Sequence, residues 1–308
     1  MAVYTKVSSD EIANHLAQYS IGSLISFSEI IQGIDNSNFI IITTKGKFIL
    51  TIFESRIDKE ELPFFMNLKL HLAQKGIHCP YPILDNKGAV IVDLKGKKSS
   101  IVTFINGKSL EKITTESCFE VGKTIAKLHL AAADFSMSRK NELGVDGFRN
   151  LFLKFSHLLD SYQKNLREEI LETLDFLEKS WRPDLPSAPT HLDLFCDNIF
   201  FDENQKISGQ KISGVIDFYF AANDLLIYDF AITATAWNNV EDLMRGYEEI
   251  RKFSSEEKDF LKIALVAAST RFLLTRLHDM FFTPKDSLVV VKNPQEYLEK
   301  LRFFRSKI

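Results

Sequence analysis

At 308 residues, with 45% hydrophobic and 26% charged side chains, the chain has ordinary globular composition and is long enough for two cores, which argues against long disordered tails. A net charge of -3 and a pI near 6.2 exclude the basic field that nucleic acid or an anionic membrane would select, so a small-molecule partner is expected. Cys79, Cys118 and Cys196 lack CxxC spacing, so neither a disulfide framework nor a zinc site is expected. No apolar run approaches the ~20 residues of a bilayer span and MAVYTKVSSDEIANHL has no leader pattern, so a cytoplasmic location is expected.

The first helix is read over 9–19, with Ser9 as N-cap and Ile12, Leu16 and Tyr19 on one face. Strands follow at 24–30, 38–44 and 47–53, rich in β-branched and aromatic residues, with a tight turn at Lys45-Gly46. A helix over 58–75 has Pro63 in its first turn and Gly76 at its end. Strands at 89–94 and 100–105 complete a small antiparallel sheet with one main helix. Past Asn106-Gly107 the pattern turns helical, at about 115–134, 148–163, 165–180, 225–250 and 255–280, interrupted by short strands at 198–201 and 212–218. The expected class is α+β in two lobes: a nucleotide-binding N-lobe, 1–105, and a larger, mostly helical C-lobe, 106–308, carrying the catalytic loop and the substrate site.

His191-Leu-Asp193-Leu-Phe-Cys-Asp-Asn198 has the HxDxxxxN spacing of a phosphoryl-transfer loop and precedes an apolar strand. In that pattern Asp193 takes the acceptor hydroxyl's proton, while the Asn198 amide oxygen is a hard, neutral ligand for Mg²⁺ that leaves the aspartate free as base. A polar loop between helix and strand has the same composition, so the motif alone is weak. Asp217 adds to it. This carboxylate ends the apolar run ISGVI nineteen positions after Asn198, where a second metal ligand belongs; a strand-ending turn aspartate is the plainer reading. Both motifs in order, on a predicted β-hairpin after a strand-rich lobe, point to kinase chemistry with Mg²⁺ bridging ATP phosphates between Asn198 and Asp217.

The loop Gly33-Ile-Asp-Asn36-Ser37-Asn38 joins the first two strands, where backbone amides and short polar side chains would cover the triphosphate; it is not GxGxxG, and a plain hairpin turn is its rival. Adenine is placed near Val102 to Phe104, at the lobe junction.

These motifs resemble those of the aminoglycoside phosphotransferase and choline kinase-like family of small-molecule kinases, and the resemblance covers the whole chain. MAVYTKV, FILTIFE, ELPFFMNLKLHLAQKGIHCPYP, HLDLFCDNIFF, GVIDFYFA and RFLLTRLHD are most similar to its bacterial homoserine kinase branch. The resemblance implies a two-lobed protein-kinase-like fold and transfer of the ATP γ-phosphate to the side-chain hydroxyl of L-homoserine, on the route to threonine. It also implies Asp193 as base, Asn198 and Asp217 as Mg²⁺ ligands, and His191 and Asp229 as braces of the catalytic loop.

One departure stands out: Thr51 in FILTIFE occupies the strand position where the family usually offers a lysine or arginine to the phosphates. Lys45, Lys47 and Arg56 are the candidate replacements. An amino-acid acceptor needs a cationic or amide donor and an acidic group, for which Arg271, Arg276 and Asp279 are candidates, although helix arginines are more often solvated or structurally paired. Phe195 and Cys196 would shape the pocket, with simple packing the plainer reading of Cys196.

Only eleven residues separate Asp217 from Asp229, which leaves no room for a protein kinase activation segment, so a small acceptor is expected. Aminoglycoside, choline and methylthioribose kinases are the enzymatic alternatives. The non-enzymatic one is a nucleotide-binding scaffold, for which Thr51 argues and Asp193, Asn198 and Asp217 argue against.

Overall fold

The computed structural model describes residues 5–30, 36–54, 58–202, 211–284 and 291–308, so Gly33 to Asp35 of the expected phosphate loop and Arg56 lie outside the described residues. In chain order the elements are α1 (Ser9–Leu16), β1 (Leu24–Ile30), β2 (Asn36–Thr43), β3 (Gly46–Phe53), α2 (Leu62–Gln74), β4 (Val92–Leu94), β5 (Lys97–Thr103), α3 (Thr115–Ala132), α4 (Val145–Phe155), α5 (Leu159–Tyr162), α6 (Leu166–Ser180), β6 (Ser187–Thr190), β7 (Ile199–Phe201), β8 (Ile212–Val215), β9 (Ala222–Leu225), α7 (Leu226–Trp237), α8 (Val240–Glu248), α9 (Ser255–Phe282) and α10 (Gln295–Arg305). They form two compact units. The first takes the described residues of Met1–Ser109, Ile199–Gln205 and Lys211–Tyr219, and the second those of Leu110–Asn198 and Phe220–Ile308.

In the first unit the antiparallel sheet has the order β1-β2-β3-β5-β4. Alternation puts Phe39 and Ile41 of β2 and Leu50 and Ile52 of β3 into one buried cluster with Ile12 and Leu16 of α1 and Ile101 of β5. α1 starts one residue earlier than Ser9 as N-cap would allow: Ser8 is the N-cap, and its hydroxyl and the Glu11 side chain satisfy each other's backbone amides. The register pairs Thr43 with Gly46, so the β2–β3 turn is Thr44-Lys45, one residue before the expected pair, and Gly46 takes the φ of 144° that opens β3. α2 carries Pro63 in its first turn and ends before Gly76, whose φ is 84°.

The hairpin of β7 and β8 packs with the first unit, whereas the sequence reading places all residues beyond 105 in one lobe. Its anchor is the mutual backbone pairing of Lys108 with Phe201, at 3.2 and 2.9 Å. Gly214 allows the close approach: a Cβ there would lie 2.7 Å from the Ile105 side chain.

The second unit is mostly helical. The expected helix 225–250 is two helices, because Asn238 turns left-handed at φ 51° and the Asn239 side chain then caps α8 by accepting from the Asp242 amide. The expected 148–163 helix is α4, a 3-10 turn over Ser156–Leu158 and the short α5. The β6–β9 ribbon and α10 are additions to the sequence reading. α7 is buried nearly all round, as its apolar composition requires. α3 and α8 meet glycine to backbone: a Cβ on Gly122 would lie 2.0 Å from the Leu243 carbonyl oxygen, and one on Gly246 would lie 1.9 Å from that of Phe119. No helix among the described residues is long and apolar enough to cross a membrane.

Candidate active site

The catalytic loop belongs to the second unit and follows β6. Leu192 is left-handed at φ 61°, a conformation a leucine holds only when its surroundings impose it. Both sides of its peptide group are held. Its N–H donates to Asp229 Oδ1 at 2.6 Å, and its carbonyl accepts from Arg271 Nη1 at 2.6 Å. The other Asp229 oxygen, Oδ2, accepts from His129 Nε2 at 2.8 Å, and His129 Nδ1 lies 2.8 Å from the Tyr247 hydroxyl. Because an ionised carboxylate only accepts, His129 carries a proton on Nε2. Burial works to raise the Asp229 pKa, but the His129 hydrogen bond and nearby imidazoles and the Leu192 amide outweigh it and hold the carboxyl below its ordinary range.

Further along, the Trp237 indole N–H donates to the Leu194 carbonyl at 3.0 Å. His191 is fully buried and its Nδ1 accepts the Asp193 N–H at 3.3 Å. The Asn198 amide nitrogen donates to the Asp193 carbonyl at 2.8 Å and to its carboxylate at 3.3 Å, so the amide oxygen is its remaining hydrogen-bonding group. The Phe195 ring sits edge-on to Phe272 at 4.9 Å and lies 5.0 Å from the Lys292 ammonium. The Cys196 thiol is pushed up to about 11 by burial and by the charge of Asp197, so it is neutral packing rather than a nucleophile.

The arginines expected at the substrate are engaged with protein. Arg271 is 2% exposed and braces Leu192, as above. Arg276 donates to the Asn293 carbonyl at 2.8 Å and to Glu296 at 2.7 Å, tying α9 to α10. Asp279 is exposed and lies 3.5 Å from His278 Nδ1. His129, Tyr247, Trp237 and Lys292 are the contributors that sequence reasoning missed; their partners lie far away in the chain, and no local motif marks them.

In the first unit Asp217 follows β8 and is left-handed at φ 62°, again unusual for a residue with a Cβ. Asn36 Oδ1 accepts the Glu54 N–H at 3.3 Å, and the buried Ser37 hydroxyl donates to Glu54 Oε1 at 2.7 Å. Lys97 closes an ion pair on the same carboxylate. Asn36 and Ser37 thus support the β2–β3 edge. Asn38 Oδ1 accepts the Thr51 hydroxyl at 2.8 Å. Val102 is buried in β5 opposite Ile49, and Phe104, just past that strand, lies 4.5 Å from the Lys47 ammonium.

No group of three or more His, Cys, Asp or Glu side chains that could hold a metal occurs among the described residues. A hard ion that takes one carboxylate, an amide oxygen and substrate phosphates needs no such group, and the Asn198 amide oxygen and the Asp217 carboxylate are each donors of the kind Mg²⁺ takes.

Residues 26–258 match the family described as the phosphotransferase enzyme family. The chain belongs to that family. Over 99% of its length it is 43% identical to the homoserine kinase of Agrobacterium fabrum, 96% of which is matched. Among solved structures, spectinomycin phosphotransferase APH(9)-Ia, in complex with ADP and spectinomycin, superposes with a TM-score of 0.67 at 15% identity, covering 98% of this chain and 95% of that one. The choline kinase of Cryptosporidium parvum gives a TM-score of 0.67 at 16% identity, covering 97% and 95%. These distant likenesses show the fold, that of the kinase-like phosphotransferases, and agree with the α+β expectation. The chain is an ATP-dependent phosphotransferase.

Proposed function

We propose that this phosphotransferase is a homoserine kinase of the cytoplasm, transferring the ATP γ-phosphate to the side-chain hydroxyl of L-homoserine. The observation that carries this is the 43% identity, nearly end to end, with the Agrobacterium fabrum enzyme of that name.

On this reading the acceptor oxygen bonds to the γ-phosphorus as the bond to the bridging oxygen breaks, ADP leaves with that electron pair, and Asp193 takes the hydroxyl proton. The Asn198 amide fixes the Asp193 carboxylate, while Asp229, Arg271 and Trp237 hold the loop backbone, so little reorganisation accompanies transfer. Asn198 and Asp217 would hold Mg²⁺, whose charge offsets that of the phosphates. Adenine lies near Val102 and Phe104. Phe195 forms the acceptor wall, with the Lys292 ammonium beside its ring as the cation available to a substrate carboxylate.

The test is ADP release with Mg·ATP and L-homoserine, L-serine, L-threonine, choline, methylthioribose and kanamycin as acceptors. Strong preference for L-homoserine is expected. Preference for another member would replace the substrate and keep the chemistry, whereas nucleotide binding without turnover of any would favour a scaffold.

A further inference from the structure

Thr51 leaves the β3 position without the cation the phosphates require, and Lys45 and Lys47 stand at the turn end of the β2–β3 hairpin. Lys45 donates to the Ser20 carbonyl at 3.0 Å, and Lys47 lies over the Phe104 ring.

α2 supplies an unexpected charge. Leu62, Phe64, Phe65, Met66, Leu68 and Leu72 bury its inner side, and Lys69, 5% exposed, is buried among them. An ammonium taken out of water is costly unless it is paired. Yet Lys69 makes no side-chain hydrogen bond or ion pair among the described residues. Its nitrogen lies 5.3 Å from the centre of the Tyr219 ring. The same ring is held edge-on by Phe53 at 6.0 Å and Phe65 at 5.7 Å. β3 through Phe53 and α2 through Phe65 and Lys69 therefore meet at one aromatic side chain.

Two groups reach Lys69 electrostatically, Cys79 and Asp217. The Cys79 thiol is pushed up to about 12 by burial and is neutral, which leaves the Asp217 carboxylate. Burial lowers the Lys69 pKa, and its nitrogen lacks a hydrogen-bond acceptor among the described residues.

We propose that Lys69 binds the nucleotide phosphates beside Asp217, delivering from α2 the cation that β3 lacks at Thr51. The inference rests on the reading of Asp217 as a ligand of the nucleotide's metal. A polyanion bound there supplies the acceptors the buried ammonium is missing.

The experiment is calorimetric titration of the full chain with Mg·ATP, with no acceptor present, for the wild type, Lys69→Met and Lys69→Gln. Kd is expected to rise roughly 10-fold or more in both variants. The Lys69→Met melting temperature should stay level or rise, because an unpaired buried charge has been replaced by an apolar side chain of similar length. A Kd within about twofold of wild type in either folded variant would overturn the proposal. So would loss of the fold in both, which would mark a structural lysine. Because no acceptor is used, an error in the substrate assignment leaves the result intact, whereas a wild type that does not bind Mg·ATP sinks both this inference and the kinase reading beneath it.

Discussion

The main-chain N–H of Leu192 donates to Asp229 Oδ1 at 2.6 Å, across 37 positions of sequence, and holds a left-handed leucine at the head of the catalytic loop. The bond fixes the His191–Leu192 peptide, and its acceptor is itself oriented by His129 and Tyr247. Leu192 is thus held by side chains from distant parts of the chain.

Asp229→Asn places an amide NH₂ against either the Leu192 N–H or the His129 N–H, so one buried bond is lost. Stability should fall by roughly 1–3 kcal/mol in urea melts and turnover by on the order of 10²-fold. The pH dependence has a definite sign. A carboxyl held below its ordinary 3.8 in the folded chain contributes its full stability above that value and loses it as the pH falls through the depressed folded one. Wild type should therefore lose stability more steeply than Asp229→Asn below about pH 4, and parallel acid melts would contradict the assignment.

Arg271→Met separates a brace from a substrate contact. A brace predicts that kcat falls roughly 10-fold or more while KM for the acceptor stays within about threefold. A KM rise of that size with kcat unchanged would put the guanidinium at the substrate instead.

Asp193→Ala should keep the fold and Mg·ATP affinity and lose roughly 10²-fold or more in turnover, the scale of removing a general base. Wild-type turnover in this variant would remove Asp193 from its role.

Gly122→Ala and Gly246→Ala each force a methyl into a carbonyl oxygen at 2.0 and 1.9 Å, so α3 and α8 must part. Each should cost roughly 1–3 kcal/mol in chemical denaturation, with catalytic effects following through His129 on α3 and Tyr247 on α8. Unchanged melts in both would mean the helix pair adjusts freely.

The motif that suggests the chemistry is legible because its groups lie within one loop and one strand end: HxDxxxxN spaces Asp193 and Asn198, and the apolar run ISGVI marks where Asp217 emerges. Strand alternation likewise located β1 to β3 to within a residue or two. Boundaries failed where a side chain or a positive φ intervenes, as at Ser8, whose hydroxyl takes the cap, and Asn238, whose left-handed turn splits a continuous helical pattern.

By itself, then, the sequence determined most of the elements and the α+β class, which depend on spacings of a few positions. Only the tertiary structure decided what each charge does. His129 reaches Asp229 from 100 positions away, Arg271 spends its guanidinium on Leu192 across 79, and Lys69, which reads as an ordinary helix lysine, is enclosed by neighbours that no periodicity of α2 contains. The physical reason is that burial and hydrogen-bond partnership are properties of packed neighbours, and packing brings together positions whose separation along the chain leaves no local mark.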